Sequence, residues 1–208
     1  MNPPPANSLL FVVSAASGAG KTTLVAQLLA TRPNLVRAIT CTTRPPRANE
    51  RDGLDYYFFT PDEFARRLAA GEFIEHATVY GERYGILREE LLGQLRRGHD
   101  VLLNIDVQGC ATIRAHAQAD PELARALVMV FLTPPSMSVL EHRLWHRGTD
   151  APEVIARRLE AARTEVAQWV NFDYLLVSDT VGEDLRRATV IMEAEKMKQT
   201  RAQLPAGF

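Results

Sequence analysis

The apolar run Leu9-Leu10-Phe11-Val12-Val13 leads almost directly into Ala16-Ser17-Gly18-Ala19-Gly20-Lys21-Thr22-Thr23, and no other stretch of the chain limits its fold so tightly. A buried strand that empties into a glycine-rich turn bearing a lysine and two hydroxyls has the parts of a phosphate-binding loop. Glycines let backbone N–H groups converge on an anion, the lysine reaches the β- and γ-phosphates, and the next hydroxyl can hold Mg²⁺. Leu24, Val25, Leu28 and Leu29 then recur at helical spacing, so the positive end of a helix dipole faces the same phosphates. The full pattern asks for glycine at position 15, where the chain has Ala15. Strand, Gly18, Gly20, Lys21, Thr22 and helix still come in the required order, and Lys21 is the only lysine before Lys196. A strand-turn-helix corner with glycines for geometry alone has no need of a lysine and two hydroxyls. Residues Ala15, Ala16, Ser17, Gly18, Ala19, Gly20, Lys21, Thr22 and Thr23 are therefore expected to hold a nucleoside triphosphate, with Thr22 on its Mg²⁺.

A chain of 208 residues, 46% of them hydrophobic, can bury a substantial core and is expected to be one domain with insertions. A net charge of −1 gives no global attraction to nucleic acid or to an anionic membrane. Two cysteines, Cys41 and Cys110, stand in no C-x-x-C pattern, which argues against a disulfide scaffold or structural zinc and fits a reducing compartment. No basic residue precedes the apolar run at Leu9, and no stretch approaches a membrane span. A cytoplasmic protein is expected, with a loose leader over 1–7 and a homo-oligomer left open.

The first helix should stop near Arg32-Pro33-Asn34. Arg44 to Gly53 is rich in arginine and proline and reads as a loop, followed by a strand over Asp55-Tyr56-Tyr57-Phe58-Phe59. Thr60-Pro61 opens a short helix ended by Gly71, Phe73 to Tyr84 reads as a hairpin, and Leu87 to Leu95 as a helix closed by Gly98. Val101 to Asp106 is an apolar run ending in a carboxylate, as expected of a buried parallel strand delivering Asp106 to the sheet edge that holds the phosphate loop. A strand over Ala126 to Leu132, helices over Ser136 to Arg147 and from Pro152 to about Trp169, a strand at Leu175 to Ser178 and a helix over Glu183 to Gln199 complete the chain. Alternating strands and helices imply an α/β fold with a doubly wound parallel sheet. The strand-rich stretch 37–95 breaks that rhythm and reads as an inserted subdomain. The single domain is expected over 8–205, with its core at 8–36, 96–135 and 172–205 and a helical lid at 136–171.

The segment Thr40-Cys41-Thr42-Thr43-Arg44-Pro45-Pro46-Arg47-Ala48-Asn49-Glu50, with Asp52 to Phe58 behind it, closely resembles the guanylate kinase family. Gly71-Glu72-Phe73-Ile74-Glu75, Tyr84-Gly85, Ile105-Asp106-Val107-Gln108-Gly109, Arg147-Gly148-Thr149 and Arg157-Arg158-Leu159 extend the resemblance from about Leu9 to Gln199. It implies a P-loop kinase fold and phosphoryl transfer from ATP to GMP with Mg²⁺. It further implies that Arg44, Arg47, Tyr56 and Tyr84 hold the GMP phosphate, that Thr40 and Glu75 read guanine with Glu50 and Asp106 beside them, and that Arg147 and Arg158 close over the transferring group. Lys21, Arg44, Arg147 and Arg158 would form the catalytic set. Arginine forks suit phosphate oxygens, and a tyrosine hydroxyl adds a donor without charge. Judged without the family pattern, Arg44 and Arg47 could pair with Glu50 and Asp52 in a solvated loop, Tyr56 and Tyr84 could simply pack, and Arg158 could be a surface helix charge. His142 and His146, at i and i+4, lack a third ligand nearby in sequence for a metal.

Three further positions depart from the family's usual pattern. Asn104 stands in place of a carboxylate, Ile86 in place of a hydroxyl that contacts guanine, and Ser178 in place of an asparagine near the adenine. Two other functions fit the same scaffold: a kinase for another phosphorylated small molecule such as a pentose bisphosphate, and a non-catalytic protein-binding module. Thr40 and Glu75 oppose the first, and the intact Gly18-Gly20-Lys21-Thr22 set opposes the second.

Overall fold

The computed structural model describes residues 7–79, 81–146, 151–202 and 204. Most of the expected leader and the candidate Arg147 lie outside these residues. The first strand, β1 (Leu10–Ala15), is buried along its whole length. It sits at the centre of a five-stranded parallel sheet of order β2 (Leu35–Arg37), β7 (Asp100–Asn104), β1, β8 (Leu127–Thr133) and β9 (Tyr174–Val177). Phe11 pairs with Leu102 on one side and Val128 on the other, and Ala15 reaches Leu132.

Successive side chains of β1 enter opposite cores, as the pleat requires. Leu9, Phe11, Val13 and Ala15 join α1 (Lys21–Thr31), α6 (Met137–His146), α7 (Pro152–Ala167) and α8 (Val181–Met197) through Leu28, Leu144, Ala162 and Met192. Leu10 and Val12 join α3 (Arg88–Arg96), α4 (Val107–Ala119) and α5 (Pro121–Ala126) through Leu91, Ile113 and Leu123. Helices on both faces make the sheet doubly wound. The order of strands reverses at β1, which opens a crevice at its carboxyl end.

The stretch between β2 and α3 forms a second, four-stranded sheet of order β4 (Tyr57–Phe58), β3 (Thr40–Thr42), β6 (Glu82–Leu87) and β5 (Phe73–Val79). Its own small core is built by Cys41, Phe64 and Phe73, the last two rings stacked with centroids 4.4 Å apart. Helix α2 (Pro61–Ala69) supplies Phe64, and Thr60 caps it by accepting the Glu63 N–H at 3.2 Å.

Two expectations need correction. Strand β4 is only Tyr57–Phe58, with Tyr56 in an isolated bridge to Asp52, because the preceding turn uses the ends of the expected strand. The strand leading to Asp106 stops at Asn104; Asp106 is instead the N-cap of α4, its Oδ1 accepting the Gly109 N–H at 2.8 Å. A carboxylate that satisfies a helix's orphan donor is better placed there than in a ladder. Helices α4 and α5 fill a stretch, 107–126, for which the sequence pattern gave no element except at Ala126, the expected start of the next strand, which instead ends α5. Among the described residues no helix is long and apolar enough to cross a membrane.

The start of the central sheet is fixed by Asp100, whose side chain is buried. Its Oδ1 accepts the Leu9 N–H at 3.0 Å and its Oδ2 meets Lys196 Nζ at 2.7 Å. Asp100→Ala should destabilise the protein by about 2–4 kcal/mol, because it strands a buried N–H and a partly buried ammonium together. Urea unfolding measures this, and a loss below about 0.5 kcal/mol would mean that water replaces both contacts.

Candidate functional site

Ala15 is still a strand residue, paired with Leu132 and nearly buried, so its extended backbone does not call for the glycine of the usual pattern. The chain turns at Gly18 and Gly20, whose φ angles are 92° and 104°. A Cβ on Gly18 would also lie 2.9 Å from Leu144, so this position is closed to larger residues on two grounds. Gly20 forms the N-terminal boundary of α1, and no side chain caps that helix end. Its first N–H groups are those that suit an anion.

Lys21 opens α1, and its Nζ donates to the Ile105 carbonyl at 2.9 Å, tying the loop to the end of β7. Burial lowers the Lys21 pKa, while Cys110, Asp106 and Glu165 pull it the other way. Thr22 and Thr23 are exposed. A cavity of about 260 Å³ is lined by the whole loop together with Asp106 and Glu165. Glu165, on the last turn of α7, accepts the Ser17 N–H at 2.9 Å.

A second cavity, of about 470 Å³, opens on the other side of the loop between Gly20, Thr23, His142, Arg143, Ser178 and Asp184. Arg143 Nη1 donates to the Ala19 carbonyl and to Ser178 Oγ, both at 3.2 Å. Ser178 Oγ in turn donates to Asp184 Oδ2 at 2.9 Å. The hydroxyl at the departing position 178 thus belongs to a chain that binds β9, α8 and the loop together. His142 and His146 stack with centroids 3.7 Å apart. Among the described residues, no group of three or more histidines, cysteines or carboxylates is arranged to hold a metal.

The third cavity, of about 290 Å³, lies between the two sheets and is lined by Thr40, Tyr56, Glu75, Tyr84, Ile86 and Asn104 among others. Strand register explains the grouping. Thr40 on β3 and Glu75 on β5 both pair with Ile86 on β6, so the three form one row across the sheet. Glu75 is largely buried and its pKa is pushed up to about 7, first by desolvation and then by the charge of Asp106. Gly109, at the start of α4, makes room for it: a Cβ there would lie 3.3 Å from Glu75 Cγ.

At the rim of this cavity the Arg44 Nη2 donates to both carboxylate oxygens of Glu50 at 2.8 Å, and the Arg47 N–H donates to Glu50 Oε2 at 2.8 Å. These bonds hold the Glu50 carboxyl below its usual range, the Arg47 backbone bond being the larger cause. The Arg44 guanidinium carbon lies 5.5 Å from the Tyr56 ring centroid, and Tyr56 and Tyr84 meet edge to face at 6.5 Å. Glu50 thus braces the arginine loop, as in the solvated-loop reading of the sequence, but it does so next to the cavity. Asp106 borders the phosphate-loop cavity, close enough to Glu75 to act on it by charge. Arg158 is half-buried on α7.

Sequence reasoning missed Glu165, Arg143 and Arg37, the last also lining the third cavity. Glu165 lies seven residues after Arg158, on the same helix face, and that spacing was the one available signal. Arg143 and Arg37 carry none, since arginine is the commonplace base of this chain.

The guanylate kinase family model matches residues 7–195. A protein named guanylate kinase from Novosphingobium aromaticivorans is 42% identical over 193 residues, covering 93% of this chain and 85% of the relative. One of the same name from Neisseria meningitidis serogroup A is 45% identical over 195 residues, covering 92% and 90%. The crystal structure of guanylate kinase from Anaplasma phagocytophilum superposes with a TM-score of 0.68 at 31% identity, covering 95% of this chain and 91% of that one. All three cavities fall inside the matched span, and the chain belongs to the guanylate kinase family.

Proposed function

We propose that the protein transfers the γ-phosphoryl group of ATP to GMP, giving ADP and GDP. The observation that carries this reading is the placement of a carboxylate-bearing cavity, rimmed by Arg44 and two tyrosines, beside a phosphate loop that bears Lys21. The triphosphate would lie on the N–H groups from Gly18 to Thr22, with its base in the cavity beside Arg143 and Ser178. GMP would take the third cavity, its guanine toward Thr40 and Glu75 and its phosphate toward Arg44, Arg47, Tyr56 and Tyr84. Glu50 would exchange its bonds to Arg44 for a role at the edge of that phosphate. Arg147 and Arg158 would come in with the lid.

Oxygen ligands suit Mg²⁺, and the Thr22 hydroxyl and Asp106 carboxylate, both on the phosphate-loop cavity, are the residues that would hold it, with the nucleotide's phosphates as its principal ligands. Bound there, the ion would supply neutralising charge at the transferring phosphoryl group. The acceptor phosphate is already anionic, so its oxygen can attack the γ-phosphorus without a general base while the bond to the β–γ bridging oxygen breaks. What the chain does is align the two phosphates and offset their repulsion through Lys21 and the arginines. Closure of 37–95 and of the lid would keep water from the phosphoryl group. Cys41 and Cys110 are both free and buried, which supports a cytoplasmic setting.

Lys21→Ala should lower kcat by at least about a hundredfold with little change in the far-ultraviolet circular dichroism spectrum, since removing one preorganised charge from a transition state typically has that effect. Steady-state ADP formation checks it, and activity within about threefold of the parent would refute the phosphate-loop role. A panel of nucleoside monophosphates and sugar phosphates in the same assay tests the acceptor directly.

Glu75 generates a paired expectation. Ionised, it accepts from the guanine N1–H and exocyclic amine, whereas adenine N1 is an acceptor that a carboxylate repels. Glu75→Gln should therefore lower kcat/KM for GMP by at least about tenfold and narrow the GMP:AMP ratio; an unchanged ratio would mean that Glu75 does not read the base. Between its ordinary value of 4.5 and about 7 the native carboxyl binds a proton that the unfolded one has lost, so stability falls as pH rises through that window. The same substitution removes this penalty, and it should raise the melting temperature more near about pH 8 than near about pH 5. Equal shifts at both would mean that the carboxyl titrates normally.

A further inference from the structure

Within this proposed site, one polar contact has no part in the transfer chemistry described above. Ser17, in the middle of the phosphate loop, gives its backbone N–H to Glu165 Oε2 at 2.9 Å. A loop N–H bonded to a distant side chain, 148 positions along the chain, fixes two segments relative to each other. Those segments are the loop that holds the triphosphate and the last turn of α7, where the Gln168 N–H closes the helix on the Glu165 carbonyl.

Helix α7 is anchored by an apolar stripe. Ile155 and Ala162 are buried, and Leu159 and Val166 pack against the same core as the phosphate loop. Arg158 and Glu165 lie together beside that stripe, two turns and about 10 Å apart along the helix. The apolar stripe seats the helix on the core, but contacts of little directionality leave its end some freedom relative to the loop. A hydrogen bond from a backbone group of the loop to a carboxylate at the helix end removes that freedom and sets the distance from the loop to Arg158. Glu165 also lines the loop's cavity and acts by charge on Lys21, so the contact sits at the edge of the proposed phosphate site and not on a remote surface.

We propose that Glu165 is a positioning residue: by holding the Ser17 N–H it clamps the end of α7 to the phosphate loop and thereby delivers Arg158 to the transferring phosphoryl group. It touches neither substrate in this role. Misplacing a charged group by about 1 Å can cost up to about a hundredfold in rate without altering the binding of a substrate that lies elsewhere. The proposal rests on the reading of Arg158 as a lid arginine.

Glu165→Ala, Glu165→Gln, Glu165→Asp, Arg158→Ala and the Arg158→Ala/Glu165→Ala double variant are compared by steady-state kinetics with ATP and GMP, and by GMP binding in the absence of ATP. Glu165→Ala is expected to lower kcat at least about tenfold with the GMP dissociation constant within about twofold of the parent. Glu165→Gln, whose amide oxygen still accepts the Ser17 N–H, is expected to stay within about threefold of the parent. Glu165→Asp keeps the charge but shortens the reach, so it is expected to fall with the alanine variant, and it carries the test if that variant does not fold. The double variant is expected to be no slower than Arg158→Ala within about twofold, since both changes remove one function. Parent-like kcat in Glu165→Ala or Glu165→Asp overturns the proposal while leaving the lid reading intact if Arg158→Ala is slow. Losses that multiply in the double variant overturn it as well. Parent-like kcat in Arg158→Ala overturns the lid reading and, with it, the proposal.

Discussion

A strand with no polar face has to be covered on both sides, and in this protein that constraint falls on β1. Its alternate side chains enter two separate cores, one with α1, α6, α7 and α8 and the other with α3, α4 and α5. Because both layers hold it, the carboxyl end of β1 is a fixed point, and the loop that leaves it inherits that rigidity. A loop used to cradle phosphates gains from such a support, since donors that need no reorganisation stabilise charge more effectively than mobile ones. Gly18 shows how close the support comes: the leucines of α6 leave no room for a Cβ.

Around that point the structure gathers opposite charges in a pattern that does not neutralise itself. Lys21 and the N-terminus of α1 share the phosphate-loop cavity with Asp106 and Glu165, and Arg143 lines the cavity on the other side of the loop. Glu75 lies just beyond, and its raised pKa records both its burial and the presence of Asp106. Two carboxylates in mutual reach repel unless a cation or a hydrogen-bond donor enters between them. A hydrogen-bond donor or a cation entering between them would relieve that repulsion. The fold could dispense with such strain; a binding site has use for it.

The sequence made the central sheet legible because its strands are continuous apolar runs and its phosphate loop is local. Leu9 to Val13, Val101 to Leu103 and Val128 to Leu132 need no partner to be recognised. Ala15 looked like a defect only because the pattern is written in residue types; the structure shows that an extended strand residue does the work there. Helix α4 was not legible, since Gly109, Thr112 and the scattered alanines blur its apolar face, and its start depends on Asp106 acting as a cap. The arginine loop was read from its resemblance, and the bracing by Glu50 followed from the opposing charges in the same segment. Glu165 and Arg143 were invisible for a different reason. Each is a common charged residue on a helix, and its meaning lies wholly in a contact with the loop across more than a hundred positions.

Strand β5 shows how the smaller sheet is joined to the larger one without losing its own identity. Phe73 enters the small core with Phe64 and Cys41, while its neighbour Ile74 enters the main core beside Leu91 and Leu95. The register of β5 against β6 shifts between Phe73 and Glu75. A bulge of this kind breaks the strict alternation of a strand and re-aims the residue that follows. Without it, Glu75 would share the face of Phe73 and be buried against aromatic rings, where its charge could not be compensated. With it, the carboxylate faces the cavity beside Thr40 and Ile86, and Ile86 seals the row on the side of the main core. The hydroxyl missing at position 86 therefore has a structural counterpart: an isoleucine there gives the small sheet an apolar seat on the large one, next to the carboxylate that the bulge has turned toward the cavity.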